Sequence, residues 1–371
     1  MNIVVDGRAF TKVSAGISTF LKCSLLEWAK QQPNNSFWVL LPHEQDITLE
    51  FEDRPLNLHF YTVQNRWLLK LPNLILVLLI IPFLIRKVRA AIYYSPVPLL
   101  PFLIPKYCKT LLVVHDVVNI EFANTMDLRN KIATKLFYNR SIKKCDFLWA
   151  NSHYTSSKIR AYFPHRKSKE IYVGCSIDQS VFHRQSISEQ EQKNIKESLG
   201  IKGRFLLFVG SLEPRKNLEF LLRLMPNLYL NYGVQLVVVG GKGWKSSYIY
   251  DIVNKQDFPV DSTIFCGFVS NEKLAKLYNI ADSFISASFN EGFGMPQLEA
   301  IFCGCPVVTA DNSAMSEVCK NKEGVYLVKG YEVKKWSEAI MNSLQLKKPT
   351  INFTPDYDWK IIIQKLIKKL N

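Results

Sequence analysis

Short runs of Val, Ile and Leu alternate with amphipathic stretches of helical length from one end of this chain to the other. That rhythm marks β-α-β units around parallel sheets covered on both faces. Two series stand out. The first holds Ile3–Val5, Phe37–Leu41, Ile92–Tyr94, Leu111–Val114 and Phe147–Ala150; the second holds Phe205–Val209, Leu236–Val239, Thr263–Cys266, Ser283–Ser286 and Val307–Thr309. Each predicts one doubly wound α/β domain. Between them residues 184–200 are polar, with Ser186 or Ser188 placed to cap a short helix. The expected domains are therefore 1–180 and 181–355. Tyr357–Leu370 reads as an amphipathic helix with a basic face, and the last stretch, 356–371, is expected to pack back on the first domain.

One segment breaks the rhythm. Leu68–Ile85 is strongly apolar, is interrupted by Pro72 and Pro82, and is flanked by Arg66, Lys70, Arg86, Lys87 and Arg89. Its core run, Leu74–Ile85, falls short of the ~20 residues a helix needs to cross a bilayer. Two readings stay open: a buried helix of the first domain, or a monotopic anchor whose basic flanks meet anionic headgroups.

The length of 371 residues and the 48% of hydrophobic residues suit two domains with sizeable cores, and exclude a disordered tail or a disulfide-stapled miniature. No repeat at a fixed period points to a solenoid. The net charge of +15 is uneven: residues 1–175 carry 23 basic and 12 acidic side chains, whereas 176–371 carry 24 and 20. Such a field favours anionic partners, whether acidic lipid, phosphorylated small molecules or nucleic acid. The basic run Lys158–Lys169 has interleaved aromatics but no nucleic-acid motif beside it, so no nucleic-acid partner is expected. The eight cysteines show no C-x-x-C pair and no histidine at zinc-site spacing, which fits a reduced compartment. The opening MNIVVDGR reads as a strand rather than a signal peptide, which points to a reduced cytoplasmic compartment and makes Asn34, Asn139 and Asn352 chance glycosylation matches.

The candidate chemistry lies where strands end. In Phe284–Ala300 a strand is followed by a glycine-bearing loop, with Gly292 and Gly294, and then a helix started by Pro296. Free amides at such a start favour an anion. Glu291 and Glu299 sit eight positions apart. A paired-carboxylate hydrolase needs them roughly 5–9.5 Å apart, while a helix of eight residues spans roughly 12 Å; carboxylates accepting from hydroxyls suit a sugar and a ribose, and two solvated glutamates are the plain alternative. Upstream, Phe205–Leu222 offers Gly210, Ser211, Glu213, Arg215 and Lys216 after a buried strand. Paired cations there can neutralise a diphosphate, although spacing alone favours a solvated pair. His115 and Asp116 follow Leu111–Val114 at another strand end, where a histidine can hydrogen-bond a hydroxyl or serve only the structure.

FVGSLEPRKNLEFLL, GFVSNEKLAKLYNIADSFISASFNEGFGMPQLEAIFCGCPVV and the earlier VVHDVV resemble the family 4 retaining glycosyltransferases, group 1 type, of GT-B fold. The resemblance is close over most of 200–320 and looser before it. It implies two Rossmann-like domains facing a cleft, the C-terminal one holding a nucleoside diphosphate sugar and the N-terminal one the acceptor. It assigns Arg215 and Lys216, with Ser211 and Gly16, to the donor diphosphate. Glu291 falls to the donor sugar and Glu299 to the ribose, with Phe293, Gly294 and Met295 lining the sugar and phosphate. Gly267, Phe268 and Val269 flank the base, and His115 with Glu291 takes the near-catalytic place. Ala15-Gly16 stands where the family often has two glycines, and no arginine follows. The activity so implied is a hexosyltransferase, for mannose or a similar sugar, acting on a glycan or lipid-linked acceptor in bacterial polysaccharide assembly such as lipopolysaccharide, without a metal or other cofactor. The expected location is the cytoplasm, with contact at the inner face of the membrane as the sharper reading. A nucleotide-sugar epimerase or a phosphorylase of the same fold, or a non-catalytic scaffold, are the rivals.

Overall fold

The computed structural model describes residues 1–11, 15–41, 54–63, 73–121, 134–241, 243, 247–346, 348–349 and 355–370. The chain divides into two compact units. Unit 1 joins Met1–Ser176 to Thr354–Asn371, and unit 2 is Ile177–Phe353.

Unit 1 is built on seven parallel strands: β1 (Asn2–Asp6), β2 (Ser36–Leu41), β3 (Leu58–Thr62), β4 (Ile92–Ser95), β5 (Lys109–Val114), β6 (Phe147–Ala150) and β7 (Ile171–Val173), in spatial order β3-β2-β1-β4-β5-β6-β7. Every ladder is parallel, with Val4 opposite Trp38 on one side and Tyr93 on the other. The order reverses at β1, which leaves a crevice between the carboxyl ends of β1 and β4 where such sheets bind ligands.

One face of this sheet packs Val4, Tyr93, Leu112, Val114 and Leu148 against Val77, Ile81, Leu84 and Ile85 of the helix Asn73–Val88. The other is aromatic. Phe20 and Trp28 of the helix Ala15–Gln31 lie against Trp149 (5.0 Å between ring centres) and Tyr94 (5.7 Å). The helix Trp359–Leu370 adds Trp359, whose ring meets Phe20 at 5.3 Å, and Tyr172 at the far strand donates its hydroxyl to the Ile362 carbonyl.

Unit 2 repeats the plan with six parallel strands: β8 (Phe205–Val209), β9 (Gln235–Val239), β10 (Thr263–Gly267), β11 (Ser283–Ser286), β12 (Val307–Ala310) and β13 (Val325–Val328), in order β10-β9-β8-β11-β12-β13. The reversal falls between β8 and β11, so the loops after these two strands meet at the switch point. Leu218–Tyr232 and Val333–Gln345 bury Leu221, Met225, Trp336 and Ile340 on one face; Tyr278 from Asn271–Ile280 packs on Phe284 at the other. Ser188 caps the helix Glu189–Leu199 by accepting from the Glu191 amide. Of the apolar segment Leu68–Ile85 of unit 1, residues 73–85 lie in the helix Asn73–Val88, while 68–72 lie outside the described residues. Among the described residues no helix is long and apolar enough to cross a membrane.

Candidate active site

After β8 the chain turns through Gly210 and Ser211 into the short turn Pro214–Lys216, which Asn217 ends with φ of 52°. Gly240, at the end of β9, approaches so closely that a β-carbon there would lie 2.0 Å from the Gly210 carbonyl oxygen. A side chain would force the two strand ends apart, so only glycine keeps this loop seated.

The turn aims Arg215 and Lys216 at the loop after β11. Lys216 Nζ donates to Glu291 Oε1 at 2.5 Å, Arg215 Nη1 donates to Glu291 Oε2 at 3.0 Å, and Ser288 Oγ donates to Oε1 at 2.8 Å. The Glu291 amide donates to Ser313 Oγ, fixing the backbone as well. Arg215 is shared: its Nε reaches Glu213 Oε2 at 3.0 Å, and Ser211 Oγ donates to the other Glu213 oxygen at 2.7 Å. Two cations and two carboxylates are thereby interleaved across the switch point. The solvated pair that spacing favours is not what forms, because the strand reversal brings residues 75 positions apart into contact, and Lys216 and Glu291 are both buried.

Burial alone would raise the Glu291 pKa. The attraction of Lys216 and Arg215, with hydrogen bonds from Lys216 and Ser288, outweighs it and holds the carboxyl at about 2. Glu299 is the opposite case. It lies on the helix Met295–Phe302, is buried, and has the Tyr278 hydroxyl donating to Oε2 at 3.0 Å. Desolvation dominates that single bond and lifts its pKa to about 7. Neither glutamate is the solvated surface group of the plain alternative.

Gly294 stands at the start of that helix with φ of 97°, a conformation that disfavours any residue with a β-carbon, and as the N-cap residue it has no side chain to cap the first turn. Amides at such an end carry partial positive charge available to an anion. Phe293 is buried beside it and Met295 opens the helix. Gly267 ends β10, and Phe268 follows with its ring exposed.

His115 and Gly16 belong to unit 1. Gly16 lies in the first turn of the helix Ala15–Gln31. His115 follows β5, where its ring meets Phe20 edge-on at 4.9 Å and its Nε2 lies 2.8 Å from the Pro96 carbonyl oxygen. That oxygen can only accept, so Nε2 carries the proton and Nδ1 is left as an acceptor. Burial lowers the ring's pKa to about 4, against a smaller opposing effect of the Pro96 bond, and the imidazole is neutral near pH 7. At the switch point of unit 1, buried Asp6 accepts from Arg8 Nε and Nη2 at 2.9 and 2.8 Å.

Sequence reasoning missed Ser288, Ser313, Tyr278 and the ionic role of Glu213. Glu213 was legible as an acid two residues before Arg215; nothing in the sequence marks the others, whose partners are set by sheet order.

Two Rossmann-like units of this kind make up the GT-B fold, and sucrose-phosphate synthase from Thermosynechococcus elongatus has it: the two superpose with a TM-score of 0.74 at 14% identity, over 100% of this chain and 98% of that one. Residues 190–354, which include the whole Arg215–Glu291–Lys216 cluster and Glu299, match the family model of glycosyl transferases group 1. An uncharacterized glycosyltransferase of Methanocaldococcus jannaschii is 32% identical over 161 residues, 43% of this chain and 40% of its own length. O-antigen chain mannosyltransferase B of Escherichia coli is 35% identical over 117 residues, 31% and 30% of the two chains. The match thus spans less than half the length of these curated relatives.

Proposed function

We propose that this chain is a retaining glycosyltransferase that moves a hexose, mannose or a close relative, from a nucleoside diphosphate sugar to a hydroxyl of a lipid-linked glycan in bacterial surface polysaccharide assembly. The observation that carries the reading is the Arg215–Glu291–Lys216 cluster at the switch point of unit 2, beside the uncapped helix start at Gly294.

The chemistry follows from charge. A departing diphosphate gathers negative charge as the sugar–oxygen bond breaks, and catalysis needs positive groups already fixed where it develops. Arg215 and Lys216 are such groups, held in place by Glu291 before any ligand arrives, and Gly16 and Ser211 are assigned to the same diphosphate. Glu291 stays ionised and accepts from sugar hydroxyls; Glu299 accepts from the ribose; Gly267–Val269 flank the base. The neutral His115, with Nδ1 as acceptor, orients a hydroxyl of donor sugar or acceptor. Two cations supply what a metal would otherwise supply, so transfer proceeds without one. Unit 1 receives the acceptor. The likeness to an O-antigen chain mannosyltransferase supports mannose and a polysaccharide chain as acceptor; a lipid-linked form of it would put the enzyme at the inner face of the membrane.

The test is thermal unfolding with GDP, UDP, dTDP and CMP and their sugar conjugates, then sugar transfer with and without chelator. A ligand at 100 times its Kd stabilises by about 2.7 kcal/mol. One diphosphate should stand out; Glu299→Ala should abolish its shift, while Glu291→Gln should keep the shift and lose turnover. Chelator should leave turnover unchanged. Equal, negligible effects of both substitutions would overturn the assignment, and a new sugar still attached to nucleotide would identify an epimerase.

A further inference from the structure

The helix Asn73–Val88 is apolar on both sides but has a use for only one. Val77, Ile81, Leu84 and Ile85 are buried against the sheet of unit 1. Ile75, Leu79 and Phe83, spaced i, i+4, i+8, form a row along the opposite side, with Leu79 and Phe83 each 53% exposed. At 1.5 Å per residue that row is about 12 Å long.

The row continues past the end of its helix. Arg86 donates to the Pro82 carbonyl through Nη1 and to the Leu103 carbonyl through Nη2, tying the helix end to the turn that carries Phe102 and Leu103, 56% and 67% exposed. Phe102 is itself held by the Arg140 guanidinium over its ring at 4.2 Å and by Phe137 at 5.9 Å. Exposed apolar side chains fixed in place in this way form a built surface, not scattered residues.

The charge along this stretch of chain is of one sign. From Arg54 to His115 the chain carries eight basic residues and no acidic one. Arg86, Lys87, Arg89 and Lys106 are exposed. A two-fold dimer through this surface would bring the basic rim of one copy against that of the other. A lipid surface bearing phosphates meets the apolar row and the cations together, as a helix lying in the plane of a bilayer does.

We infer that the Ile75–Leu79–Phe83 row, with Phe102 and Leu103, is a docking surface for an anionic lipid bilayer. The row sinks among the acyl chains near the headgroups, and Arg86, Lys87, Arg89 and Lys106 sit among the phosphates. The inference sharpens the location proposed above but does not depend on the sugar chemistry.

Full-length protein is sedimented with vesicles of phosphatidylcholine alone and of phosphatidylcholine with one-third phosphatidylglycerol. Wild type should bind the anionic vesicles and be released as salt rises. Leu79→Ser with Phe83→Ser should bind at least tenfold more weakly with an unchanged melting temperature, and Lys87→Gln with Lys106→Gln should lose the preference for anionic lipid. Should the double serine variant unfold, Phe83→Trp gives an independent reading: its added fluorescence should be quenched by brominated lipid. Equal binding to both vesicles, undiminished binding by the serine variant, or a Phe83→Trp probe that lipid does not quench would overturn the inference. So would a wild-type dimer that the serine variant dissociates, since a second copy would then be the occupant. The nucleotide-induced shift without vesicles is the same in wild type and serine variant, so failure here and failure of the transferase reading are told apart.

Discussion

Glu291 and Glu299 lie eight positions apart on one stretch of chain and are pushed in opposite directions by their surroundings. The sign of each follows from what it contacts. Glu291 is held near 2, below its ordinary 4.5, so it contributes stability above about pH 4.5 that is lost as pH falls through about 2. Glu299, raised to about 7, contributes stability below its ordinary 4.5 that is lost as pH rises through about 7. Wild type should therefore lose stability relative to Glu299→Gln between pH 4.5 and 7, by an amount on the order of 3 kcal/mol at most; unfolding of both proteins across that range measures it. Arg215 offers a second test. Its guanidinium is divided between Glu213 and Glu291, so Glu213→Gln should free charge for a diphosphate. For a pair that is partly exposed, worth about 0.2–1 kcal/mol, the Kd for the nucleoside diphosphate should fall up to about fivefold in titration calorimetry.

Among elements, the helix Met295–Phe302 shows how a loop becomes an anion-ready corner. Its start depends on Gly294 at φ of 97°, and a β-carbon there would also lie 3.1 Å from Gln297 Oε1. Gly294→Ala should cost about 1–2 kcal/mol in urea unfolding and weaken the nucleotide shift, because the first turn must move. Strands buried on both faces read plainly as apolar runs: β6, β8 and β11 fall where the pattern puts them, and β1, β2, β4, β5, β9 and β12 within one or two residues, as does β10 although it is a half-buried edge strand. The three that escaped, β3, β7 and β13, are all at sheet edges. In Leu58–Thr62 only the first residue is buried and His59 interrupts the run, while β7 and β13 are apolar runs of only three and four residues. The site was legible to the same extent. Arg215, Lys216, Glu291 and Glu299 could be singled out from the family resemblance, but the ion pairing could not, since it depends on β8 and β11 being neighbours, a fact of topology.

On the scale of the molecule, the chain leaves unit 1 at Ser176, builds unit 2, and returns for its final helix. Trp359 in that helix closes the aromatic face formed by Phe20 and Trp149. Trp359→Ala should destabilise unit 1 by about 3–5 kcal/mol, seen as a lower first transition in thermal unfolding. The nucleotide-dependent shift, proposed to arise mainly in unit 2, should survive it.

The returning helix also sets a timetable for synthesis. Unit 1 cannot close its aromatic face until the helix Trp359–Leu370 leaves the ribosome. At about 5–20 residues per second, the 177 residues of unit 2 take roughly 9–35 s to make. Throughout that interval Phe20, Trp149 and Tyr172 are without the helix that covers them. The half of the protein made first is therefore the half finished last, and a nascent chain stalled near residue 350 presents an open apolar face to whatever chaperone is at hand.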